Sequence, residues 1–186
     1  MRPRPLISAL GLAAVAALSL GAAPAAPAAP TAPTAGGGDD RLHPDVVRAY
    51  QATKKYRDES LALRDGYVPE PVCASSEEGG MGYHYVKEDH IGSTDPTRPA
   101  ALLYEEKDGK RKLVAVEYLV VDEDQDLNTD EDRPEMFGGV PFLGPMPGHT
   151  PDMPIHYDLH AWLHKPNPNG LFAEWNPLVK CPEQQS

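Results

Sequence analysis

A chain of 186 residues with 28 acidic against 17 basic side chains carries a net charge of −11. Such a surface repels nucleic acid and anionic membranes, which excludes a nucleic-acid-binding role and favours cations as partners. Its two cysteines, Cys73 and Cys181, lie too far apart in sequence for a Cys-x-x-Cys redox pair.

Residues 1–25 read as a secretory signal peptide. Arg2 and Arg4 give a positive start, Leu6 to Ala23 is an unbroken run of apolar and small residues, and Ala23-Pro24-Ala25 offers a cleavage site. The run is marginal in length for a bilayer span and dissolves into an Ala/Pro tract, so no stable membrane insertion is expected after cleavage. Residues 26–38 form an Ala/Pro/Thr/Gly linker that cannot bury a core, and 39–186 make a single domain. A secreted, extracellular chain favours oxidation of Cys73 with Cys181, a bridge that would close a loop of about a hundred residues.

Within the domain, His43-Pro44-Asp45 opens a helix expected to run to Arg64, where Asp65-Gly66 stops it. Ala49, Ala52, Tyr56 and Leu63 form a narrow stripe suited to lying on a sheet. Gly66 to Gly80 is turn-rich. Met81 to Val86 then reads as a strand, and Ala101–Glu105 with Lys112–Val121 as a hairpin turning at Asp108-Gly109. The second hairpin strand is apolar on both faces and should be central. Glu117 breaks that pattern, because a carboxylate in apolar surroundings needs a basic partner, a metal or a cavity. The fold class is therefore α+β: an N-terminal helix on a mainly antiparallel, barrel-like sheet.

Asp122 to Glu135 is acidic and comes close to a calcium loop. Asp124, Asp126, Asn128, Asp132 and Glu135 occupy ligand positions, but Thr129 stands where the turn needs glycine and Pro134 interrupts the end. Calcium is not expected. Met136 to Pro154, rich in glycine and proline, is expected to be a structureless loop, either a lid or a surface wrap. It leads into Pro154 to His164, which alternates as a strand: Ile155, Tyr157, Leu159, Ala161 and Leu163 on one face, His156, Asp158, His160, Trp162 and His164 on the other.

Neutral imidazole with carboxylate is a donor set for zinc, copper, nickel or iron. The expected ligands are His84, Glu117, His156 and His160, with Asp158 and His164 behind them or at the rim. Three readings remain open: binding of a divalent metal or small ligand, an enzyme in which Glu117 or a histidine acts as base, and an interaction protein whose histidines are an ordinary polar face. There is no Gly-x-Ser-x-Gly, phosphate loop or dinucleotide fingerprint.

Asp65-Gly66-Tyr67-Val68, Gly82-Tyr83-His84-Tyr85-Val86, Val116-Glu117-Tyr118, Gly144-Pro145-Met146-Pro147-Gly148-His149 and His156 to Trp162, with Trp175-Asn176-Pro177, resemble a family of uncharacterised secreted bacterial proteins. That resemblance spans nearly the whole mature domain and implies a compartment, not an activity. His84-Tyr85, Leu102-Leu103-Tyr104, Glu117-Tyr118 and His156 to His160 are also similar to pieces of the oil-body-associated protein family. This chain departs from that family by spacing its paired histidines four apart rather than two, and by the acidic and Gly/Pro insertion before them.

Overall fold

The computed structural model describes residues 43–149 and 152–182; the expected signal peptide (1–25) and linker (26–38) lie outside the described residues. Helix α1 spans Pro44–Thr53 and starts as the sequence indicates, with Pro44 in its first turn and the His43 ring accepting from the Asp45 N–H. It does not continue to Arg64. Lys54–Arg57 tighten into a 3₁₀ turn, Asp58 is extended, and its carboxylate caps a second helix, α2 (Glu59–Arg64), through the Ser60 N–H at 3.1 Å. A good N-cap in mid-run restarts the helix and rotates its apolar stripe. The buried positions are Val46, Ala49, Thr53, Tyr56 and Ala62, while Leu63, expected inside, is exposed.

Six strands form one open sheet, ordered β1 (Val68–Ser76), β2 (Gly79–Val86), β3 (Ala101–Lys107), β4 (Lys110–Val121), β8 (His156–Ala161) and β7 (Leu143–Met146). Every pairing is antiparallel, and the sheet curls as a half-barrel with β1 and β7 at its edges. The β3–β4 turn falls at Asp108 and Gly109, both at positive φ, the backbone a two-residue hairpin needs. β4 lies centrally between β3 and β8, as its two apolar faces require.

Two expected loops are partly strand. Residues 68–76 pair along β2, although Pro69 and Pro71 disguise them; proline is tolerated there because β1 is an edge. Within Met136 to Pro154, Val140–Pro141 pair with Glu135–Met136 as a small separate ribbon (β6 with β5), and Leu143–Met146 become edge strand β7 on β8. That pairing ties down the middle of the expected lid. Conversely, the last strand stops at Ala161, short of the expected His164, because the Leu163 N–H turns back to the Ala161 carbonyl.

The sheet buries both faces. One, under the helices, carries Tyr85, Leu102, Tyr104, Val116, Tyr118, Tyr157 and Leu159. The other carries Ala101, Leu103, Ala115 and Trp162 and is covered by the chain's last turn, where Val179 packs. This tail is fastened at three points. Gly80 and Asn176 exchange backbone hydrogen bonds, the Trp162 indole N–H donates to the Ala173 carbonyl at 2.6 Å, and Cys181 is disulfide-bonded to Cys73 with Cα atoms 5.6 Å apart. Gly80 is required there, since a Cβ would stand 2.9 Å from the Val179 carbonyl oxygen. Among the described residues no helix is long and apolar enough to cross a membrane.

Candidate metal centre

Strand register builds the site on the face away from the helices. Glu117 of β4 sits directly opposite His160 of β8 on one side and Ala101 of β3 on the other. His84 of β2 pairs with Leu103, so it lies two strands from Glu117 and diagonally offset. The small Ala101 between them leaves room for the two long side chains to meet above it. His84 Nε2 reaches Glu117 Oε2 at 3.3 Å, and one donor atom each from His84, Glu117 and His160 lie within 4.8 Å of one another. Donors at the corners of a tetrahedral zinc site with bonds near 2.0–2.1 Å stand about 3.4 Å apart. The His84–Glu117 edge, at 3.3 Å, has that spacing, and the other two edges lie within 4.8 Å.

Its electrostatics are those of a desolvated pocket. Burial lowers His84 to about 4 and His160 to about 3, and repulsion between neighbouring imidazoles adds to it, from His149 at His84 and from His84 and then His149 at His160. Burial raises the Glu117 carboxyl well above its ordinary value, with the charges of Asp158 and Glu70 adding to it. The two rings are thus neutral at pH 7, with lone pairs available to a cation. Both nitrogens of the His160 ring are buried without a hydrogen-bond partner. A buried imidazole left unpaired on both sides is costly unless something else engages it.

Asp158, expected behind the ligands or at the rim, lies behind them. It is on the same face of β8 as His160, with its Oδ1 3.7 Å from His160 Nδ1 and both oxygens buried and unpartnered. Burial, then the charge of Glu174, lifts its carboxyl to about 8. A carboxylate beside the outer nitrogen of a ligating histidine fixes the ring and strengthens it as a donor.

Two expected members stand elsewhere. His156 does not join the converging donors. Four residues of strand separate it from His160 by about 13 Å, so a shared face does not bring the two rings together. Its Nδ1 lies 3.1 Å from the Pro154 carbonyl, and its ring sits 5.0 Å edge-on from that of His149. His164 is further removed. The turn after Ala161 throws it to the helix side, where it stacks on Tyr50 and its Nε2 lies 3.0 Å from the Thr53 hydroxyl. Burial lowers it to about 4, with Arg57 contributing.

His149 was not among the expected residues. It is exposed at the end of the Gly/Pro stretch, and its charge is felt at His84, His156 and His160. The only sequence signal was a histidine in the segment that delivers the chain to β8. In the acidic run, several carboxylates are spent on their own backbone: Asp124 Oδ1 accepts from the Asp126 N–H, Asp126 from Asn128, and Asp132 from Glu123.

With two neutral imidazoles and one carboxylate from the protein, a bound ion would keep a coordination position open, the arrangement in which metals bind and polarise small ligands. No family model, curated protein or solved structure matches the chain.

Proposed function

We propose that this protein holds one divalent transition-metal ion, zinc or a chemical near neighbour such as copper, nickel or iron, through His84, Glu117 and His160. The observation that carries this reading is the convergence of three donor atoms within 4.8 Å in a buried spot, one of them from a His160 ring whose nitrogens have no hydrogen-bond partner among the described residues. The donor chemistry agrees: two imidazoles neutral at pH 7 and a carboxyl whose proton a cation would displace. Asp158 would orient His160. Work outside the cytoplasm fits the signal-like leader and the Cys73–Cys181 disulfide.

The test is metal analysis and zinc titration of protein purified without a histidine tag. One equivalent should bind per chain, and His84→Ala, Glu117→Gln and His160→Ala should each abolish it at micromolar zinc. His156→Ala and His164→Ala should retain it. A wild-type chain that takes up no stoichiometric metal, or a His160→Ala variant that binds as well as wild type, rules the site out.

A further inference from the structure

On the side of the sheet that carries Asp158 and His160 lies a cavity of about 380 Å³ lined by Leu143, Pro145, Met146 and Trp175 together with Glu78 and Glu174. The residues named come from three separate elements. Glu78 sits on the β1–β2 turn, Leu143, Pro145 and Met146 on β7, and Glu174 and Trp175 on the tail that the disulfide fastens. Behind this wall, outside the lining itself, is a buried carboxyl. Asp158 of β8 pairs with Leu143 of the cavity wall and shares a face with Trp162, whose indole holds the Ala173 carbonyl next to Glu174. Both Asp158 oxygens are buried and unpartnered.

We propose that this cavity binds a small organic cation, an ammonium group carried on an apolar body. Apolar walls with a few polar groups at one side are what small-ligand sites present, and the volume lies in their range. Among the described residues no lysine, arginine or histidine lines the cavity, so the carboxylates have no counter-charge there. The Glu174 carboxyl is raised by burial and by the charge of Glu78, a repulsion that a cation between them would relieve. An ammonium would gain two carboxylates, with Trp175 and the Met146 thioether for its apolar part.

A bare metal ion suits this place less well. Among the described residues, only His84, Glu117 and His160 bring three donor atoms within 4.8 Å of one another, and the cavity's two glutamates belong to no such group. A cation of molecular size can span them. This inference stands whether or not the neighbouring triangle carries metal.

The experiment is a titration of the full chain with phenethylamine, putrescine and tetramethylammonium, each beside a neutral alcohol of matched size, followed by the NMR signals of the two indole N–H groups. It is run with and without zinc. At least one ammonium probe should bind about tenfold more tightly than its alcohol, the effect of one charge-assisted contact. Glu174→Gln and Glu78→Gln should each reduce that preference severalfold, with the indole spectrum of the folded state retained. If no ammonium is preferred over its alcohol, or if both glutamine variants keep the full preference, the proposal is overturned. Loss of zinc binding alone leaves this result unchanged, so the two readings fail separately.

Discussion

The two faces of one sheet bury polar groups on opposite terms. Under the helices, Tyr104 donates to the Tyr56 carbonyl at 2.7 Å, Tyr118 to Pro96 at 2.7 Å and Tyr67 to Pro99 at 3.0 Å. Each hydroxyl enters the core with its partner. On the other face, His160 and Asp158 are buried as deeply and have none. Unpaired buried polar groups lower stability, so the tail-covered face, where His160 and Asp158 leave four such atoms together, bears a larger cost than the helix face, where His164 Nδ1 is left unpaired.

That contrast can be broken at several points. The tail packs Val179 and Trp175 onto the polar face, and the disulfide that holds it spans 108 residues. Replacing Cys73 and Cys181 with serine should cost about 4 kcal/mol in chemical denaturation. In hydrogen exchange, β2 and β8 amides should lose protection before the helices do. Equal loss on both sides would mean the faces are not separately secured.

His160→Ala comes next. It should lower zinc affinity by roughly two orders of magnitude or more, and Asp158→Asn, acting through the ring it faces, by about tenfold. Competition with a chromophoric chelator reads both. An Asp158→Asn variant as impaired as His160→Ala would make Asp158 a ligand and not a support.

A paired comparison of the faces should give opposite signs. Tyr104→Phe leaves the Tyr56 carbonyl unpaired and should destabilise by about 1 kcal/mol. Glu117→Gln removes an ionisable group from a buried site, and should leave the metal-free melting temperature unchanged or raise it. If Glu117→Gln destabilises as Tyr104→Phe does, that carboxyl belongs to the fold and not to a binding site.

The smallest effect concerns His164, which faces Tyr50, Thr53 and Arg57 on the helix side. Its folded value of about 4 lies below the ordinary 6.5, so folding favours the neutral ring. The associated stability is fully present above pH 6.5 and is lost as pH falls toward 4. His164→Gln should flatten that part of the stability profile relative to wild type. An unchanged slope would place the ring in solvent.

Much of this was readable in the residues. Alternation from His156 to Trp162 marked a rigid strand with an imidazole–carboxylate face, and Glu117 stood out as the one charge in the apolar run from Leu113 to Val121. The signal-like leader made the Cys73–Cys181 bridge the expected pairing. What the pattern could not carry was long-range register. Whether His156 or His160 meets Glu117 depends on which pair of residues faces across β4 and β8, and that is set by the whole sheet. Local geometry hid other features. The turn at Leu163 redirects His164, the Asp58 cap splits one helix into two, and edge prolines made β1 look like loop. His149 escaped because loop residues carry no periodicity to place them.

The central claim is that three donors from three strands hold one ion, and X-ray absorption at the zinc edge of the stoichiometrically loaded, tag-free chain tests it most directly. The account predicts a first shell of two imidazole nitrogens and carboxylate oxygen, with one imidazole lost in His84→Ala forced to load at excess zinc. A first shell of oxygen alone, or a spectrum indifferent to removing His84 and His160, would contradict it.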